Sequence, residues 1–131
     1  MGTDPVSYLS YAEAVLIHIE LMRLLGETRY GVFDRPLIES SLARPRQAAS
    51  YEQADIHAQA ASLLFGFVKN HPWVGGNKRT ATALTSIFLR RNGYRLAAGV
   101  DEIIDLVHDV EADRRGPSNI AVWLRGHTEK I

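Results

Sequence analysis

Residues 55–93 read "DIHAQAASLLFGFVKNHPWVGGNKRTATALTSIFLRRNG" and hold the key to the fold. The first part places Ile56, Ala60, Leu63, Leu64, Phe67 and Val68 at i, i+3, i+4 intervals, which predicts an apolar and therefore central helix over about 55–70. The last part predicts a helix from Asn77 to Asn92, with Ala81, Leu84, Ile87 and Phe88 inward and Gly93 just past its end. Pro72 disfavours the α region at His71, so the first helix is expected to stop at or just before the histidine.

Working outward gives more helix. Ser10 and Glu13 have capping-box spacing, followed by Val15, Leu16, Ile19, Met22 and Leu25, and Gly26 closes that element. A shorter helix is expected from Asp34, burying Leu37, Ile38 and Leu42 and ending at Arg44-Pro45. Residues 44–54 are polar and aperiodic and read as an exposed connection, the only place where two short strands are expected. Asp101 is expected to cap a fifth helix with Ile103, Ile104, Val107 and Val110 inward; Ser118, after Pro117, is expected to cap a sixth with Ile120, Trp123 and Leu124. The expectation is all-α, a compact bundle of about six helices in one domain over 1–131.

Composition narrows the functional classes. Fifteen Lys+Arg balance fifteen Asp+Glu, so no overall field gathers nucleic acid or anionic membrane. There is no cysteine, which excludes disulfides and thiolate metal sites. No apolar run approaches the roughly 20 residues of a membrane span, and "MGTDPVSYLS" has neither the basic nor the apolar region of a signal peptide. A soluble cytoplasmic protein is expected. His18, His57, His108 and His127 lack metal-ligand spacing and read as surface or satisfied core histidines. Arg90, Arg91 and Arg95 suit the negative end of a helix dipole.

The chemistry concentrates in "HPWVGGNKRT", residues 71–80. Gly75 and Gly76 allow a tight turn and close backbone approach to a ligand. Asn77 is expected to cap the next helix, whose free amides and positive dipole end suit an anion. Lys78 and Arg79 add two charges, Arg as a fork and Lys as a point charge. His71 at the lip would serve as a proton acceptor, with the adjacent cations favouring its neutral form. On the residues alone two readings stand, a phosphate cradle with a base at its lip, or a turn and cap with a solvated cation pair. It is not a P-loop, since Asn77 precedes the lysine.

The stretch "NHPWVGGNKRTATALTSIFLRRNGYRL" resembles the signature region of the Doc (death on curing) branch of the Fic/Doc family, which usually runs H-P-F-x-D-G-N-K-R-T-A before a helix ending in N-G. "YLSYAEAVLIHIELM", "DRPLIESSLARPRQ" and "WLRGH" resemble that branch's first, second and last helices, so about residues 7–127 are covered. The resemblance implies transfer of the γ-phosphate of ATP, or of another nucleoside triphosphate, to a hydroxyl of a translation factor, elongation factor Tu. It also implies restraint by a cognate antitoxin with a short disordered tail. Lys78 stands where Fic members have Gly, and Thr82 where they have a final arginine, both as in the Doc branch.

Carried over by position, His71 would be the general base and Trp73 the loop anchor. Gly75, Gly76 and Asn77 would form the nucleotide-binding turn, Lys78 and Arg79 the phosphate clamp, and 44–54 a short flap that aligns the target. One departure is evident: Gly75 replaces the acid that normally helps hold Mg²⁺ on the triphosphate, and no metal ligand is assigned. The alternatives are a weakened or inactive member that binds nucleotide or an antitoxin, and a nucleotidyl (AMP) transferase.

Overall fold

The computed structural model describes residues 5–131, so the Met-Gly start lies outside the described residues. Six helices and a two-stranded ribbon follow in the order α1 (Tyr11–Leu24), α2 (Arg35–Glu52), α3 (Ile56–Asn70), α4 (Asn77–Arg91), β1 (Tyr94–Leu96), α5 (Val100–Glu111), α6 (Pro117–Gly126) and β2 (Thr128–Lys130). The all-α expectation holds. Helix α3 is the axis, flanked by α2, α4, α5 and α6. Ala60, Ala61, Leu63, Leu64, Phe67 and Val68 are all buried, and they meet Leu84, Phe88 and Leu89 of α4, Ile120 and Leu124 of α6, and Val107 and Val110 of α5 in one core.

Helix α1 begins as expected: Ser10 Oγ accepts from Glu13 N (3.1 Å), and the Glu13 carboxylate accepts from Ser10 N (2.9 Å). Gly26 follows the helix in the left-handed region at φ +70°. Its buried stripe differs from the apolar count, though. Ala14, His18 and Met22 face inward, while Leu16 is 62% and Leu25 44% exposed. The i, i+4 stripe runs through a histidine whose two ring nitrogens both find partners, and a count of apolar residues steps over it.

The second helix corrects a boundary. It does not stop at Arg44-Pro45 but runs on to Glu52, ending at left-handed Gln53 (φ +54°). Pro45 removes one helical hydrogen bond, yet Pro45 and Ala48 are buried. Arg44 Nε donates to Ser62 O of α3 at 3.0 Å, and its guanidinium lies over Phe65. Tertiary packing therefore carries the helix through the proline, and 44–54 is neither a flap nor an exposed connection. The strands lie elsewhere, β1 pairing antiparallel with β2.

Two further caps move. Gly99, not Asp101, starts α5, with Glu102 accepting from Gly99 N at 3.0 Å. Gly116, not Ser118, starts α6, with Asn119 accepting from Gly116 N at 3.3 Å. In both the third helical side chain reaches back to a glycine, leaving Asp101 and Ser118 inside the first turn. Ile104, expected inward, is 45% exposed.

The revised face of α1 has a measurable consequence. Met22→Ala should cost about 2–5 kcal/mol of unfolding free energy, and Leu16→Ala less than about 0.5 kcal/mol. Urea denaturation of the two variants checks this; equal costs would return the buried stripe to Leu16.

Candidate functional site

The site forms where α3 ends and α4 begins. His71 is the C-cap of α3 and sits in the left-handed region, φ +47° and ψ +55°. Pro72 keeps it out of the right-handed helix, and a non-glycine residue held there stores strain of roughly 1–3 kcal/mol. Strain persists only where the surroundings determine it. Here they do: Pro72 O accepts from Phe33 N and Asp34 N, both at 3.0 Å, and Val74 N donates to Gly31 O at 2.9 Å. Val32 and Trp73 form an antiparallel bridge. The segment that covers the site loop is thus 29–34, not 44–54.

Trp73 anchors the loop as expected. Its ring is buried, stacked on His18 (centroids 4.2 Å apart) and parallel to Phe67 (6.2 Å). Its indole N–H is buried without a hydrogen-bond partner among the described residues. Behind it His18 is fully buried. Gly31 N donates to His18 Nε2 at 2.9 Å, so the proton sits on Nδ1, which donates to Thr80 Oγ1 at 2.8 Å. Burial pushes this imidazole down to about 4. It is a neutral tie between α1, α4 and the 29–34 segment.

Asn77 does not cap α4. Its Oδ1 accepts from Trp73 N (2.9 Å) and its Nδ2 donates to Trp73 O (3.0 Å), so the side chain closes the loop on itself. The N-cap is Gly76, left-handed at φ +67°, where a Cβ would collide with Met22 Sδ. Among the described residues, no side chain accepts from the first amides of α4. An uncapped helix start of this kind, with the dipole behind it, is suited to an anion.

The two cations diverge. Lys78 Nζ donates to Glu111 Oε1 at 3.2 Å, at the far end of α5, whereas Arg79 Nη1 donates to Glu27 Oε1 at 3.3 Å, just beyond α1. Glu111 Oε2 also lies 3.5 Å from His71 Nε2. So the ionised group facing His71 is a carboxylate, where the sequence suggested cations. Lys78 is the first cause of the lowered affinity of Glu111 for its proton. Lys69 fixes this corner by donating to Glu111 O (3.2 Å) and Asp113 (2.5 Å). Structure therefore unites His71 with Lys78 through Glu111 and sends Arg79 to the other side. Glu111 and Glu27 escaped sequence reasoning, because no local spacing marks them and only packing delivers them here, whereas His18 is the satisfied core histidine that was one of the two expectations for it.

Gly75 is explained by its neighbour. A Cβ there would lie 2.5 Å from Arg29 O, so this backbone occupies the space an acidic side chain would need. Among the described residues, the acids nearest in sequence lie away from it. Asp55 caps the opposite end of α3, about 22 Å away by helix rise, and pairs with Arg125. Glu52 lies beside that end, and Asp101 is at the start of α5, about 15 Å from Glu111 along the helix. Glu111 is engaged by Lys78, and no three metal-ligating side chains converge among the described residues. The donor set does not fit a protein-held Mg²⁺.

The remaining histidines are accounted for: His57 bonds Thr128 Oγ1 (2.8 Å), His127 bonds Trp123 O (2.7 Å), and His108 is exposed on α5. Arg91 pairs with Glu13 and Arg95 with Glu129. A cavity of about 560 Å³ opens elsewhere, between α2, α3 and α6. Its two arginines are already held, Arg44 by Ser62 O and Arg125 by Asp55, so chemistry rather than volume places the site at the loop.

The fold is thus a helical bundle whose central helix brings a left-handed histidine beside an uncapped helix start bearing two cations. The Fic/DOC family model matches residues 8–89, more than half the chain, and the protein belongs to that family. It is similar to Toxin Doc of Mycolicibacterium smegmatis (strain ATCC 700084 / mc(2)155), 39% identical over 100 residues, covering 72% of this chain and 76% of that protein. No helix is long and apolar enough to cross a membrane among the described residues.

Two predictions follow from this geometry. Gly75→Ala and Gly75→Asp should each destabilise the fold by roughly 1–3 kcal/mol, through overpacking against Arg29 O; unchanged melting temperatures would mean that the 29–34 segment yields freely. The second concerns pH. His18 takes up its proton near 6.5 when unfolded but only near 4 when folded, so its stabilisation is complete above about pH 6.5 and drains away as pH falls towards 4. The slope is at most about 1.4 kcal/mol per pH unit, and burial of His57 acts in the same sense. His18→Leu should be less stable at pH 7.5 yet lose less between pH 7 and 5 than the parent in urea titrations. Parallel pH profiles would contradict the tie.

Proposed function

We propose that the chain is a Doc-type toxin that transfers the γ-phosphate of ATP to a hydroxyl of a translation factor, elongation factor Tu, in the cytoplasm, and that a cognate antitoxin with a short disordered tail restrains it. The observation that carries this reading is His71, held left-handed at the end of α3 beside the uncapped start of α4. Lys78, where Fic members have Gly, favours phosphoryl over nucleotidyl transfer.

In this mechanism the triphosphate meets the amides at the start of α4, and Lys78 and Arg79 neutralise its oxygens. Lys78 spends one of its three donors on Glu111, which leaves the others for the phosphate. His71 takes the proton of the target hydroxyl, whose oxygen forms a bond to the γ-phosphorus as the bond to the β-bridging oxygen breaks and ADP leaves. Catalysis then rests on positioning and charge, with no bond made to the protein. A bound Mg²⁺ would supply further neutralisation of the phosphate charge, but at Gly75 the chain offers no carboxylate to hold it. That same residue, with Arg29 O in the place of an acid, favours a second reading, a weakened member that binds nucleotide or antitoxin and turns over slowly. Nucleotidyl transfer is the third.

ATP labelled at the α or the γ position, incubated with the protein and elongation factor Tu, separates the three. Label from γ alone, lost at least about 100-fold in His71→Ala, is expected. Label from α would mean nucleotidyl transfer, and binding of ATP without transfer would mean the weakened member.

A further inference from the structure

We infer that Arg29 is a further binding residue for the phosphate end of the nucleotide, a cation contributed by the segment that covers the site loop. This rests on the reading of the α4 start as a phosphate site. Three observations place it there. Its carbonyl lies 2.5 Å, and its own Cβ 3.7 Å, from where a Cβ on Gly75 would stand, so the side chain leaves the backbone within one arginine's length of the start of α4. The segment is fixed rather than loose, since Gly31 O holds Val74 N and Pro72 O holds Phe33 N and Asp34 N. Finally, Arg29 is exposed and makes no hydrogen bond or ion pair among the described residues.

That last point sets it apart from its neighbours. Lys78 is paired with Glu111 and Arg79 with Glu27, so each meets a phosphate with its charge partly compensated by a carboxylate. Among the described residues Arg29 has no carboxylate paired with it. Its guanidinium offers forked donors matched to two phosphate oxygens, and it supplies positive charge where Gly75 provides no acid to recruit a metal. Arg29 then carries part of the neutralisation that a metal ion otherwise provides, and the site should hold triphosphate without one.

Calorimetric titration with ATP, and separately with inorganic tripolyphosphate, in EDTA-containing buffer tests this on the parent, Arg29→Gln, Arg29→Lys and Lys78→Ala. The parent should bind both ligands, Arg29→Gln should weaken both by about tenfold, and Arg29→Lys should recover only part of the loss. Melting curves of the Arg29 variants should match the parent, because the side chain has no partner to lose. Equal affinity of parent and Arg29→Gln, with loss in Lys78→Ala, would overturn the role of Arg29 and leave the site reading standing. No binding by the parent, or binding indifferent to both Lys78 and Arg29, would overturn the two together.

Discussion

A neutral imidazole with both nitrogens occupied joins three pieces of chain that are distant in sequence. His18 donates a hydrogen bond to Thr80 in the first turn of α4 and accepts one from the Gly31 amide, while its face stacks on Trp73 of the site loop. A buried polar group costs free energy unless its hydrogen bonds are met. With both met, the same residue fixes the start of α4, the covering segment and the loop between them. Gly76 is left-handed, with Met22 directly above it, and His71 is left-handed at the far side. The strain at His71 persists because the surrounding hydrogen bonds and packing determine it.

The frame is apolar and neutral, while the charges sit at its mouth. Lys78, Glu111, His71 and Lys69 form one connected corner, and Arg79 with Glu27 another. These pairs are half-exposed and contribute little to stability. What they do fix is where the charges of His71, Lys78 and Arg79 stand around the loop. The covering segment adds Arg29 on the side where Gly75 leaves room only for backbone.

Much of this was legible in the sequence, for particular reasons. Helix α3 was plain because six apolar residues repeat at helical spacing, and the break after it because Pro72 disfavours helix at His71. Trp73 read correctly as an anchor. The errors have physical causes. Pro45 looked like a stop, but burial against α3 outweighed one lost hydrogen bond. His18 hid the true face of α1, since polarity pointed outward and only Thr80 and Gly31 reverse it. Asn77, Asp101 and Ser118 were plausible caps displaced by glycines one or two positions earlier. Glu111 and the 29–34 segment reach the site through packing between distant elements, which no local pattern encodes.

The central claim is that a rigid frame presents the start of α4 to phosphate. Two-dimensional ¹H–¹⁵N NMR of the labelled protein during titration with ATP tests it most directly. The account predicts the largest shifts at the amides of Gly76, Asn77, Lys78 and Arg79 and at the His71 ring, with the Trp73 indole and His18 nearly still. Shifts centred on the cavity between α2, α3 and α6, or spread through the core with Trp73 and His18 among the most perturbed, would contradict it.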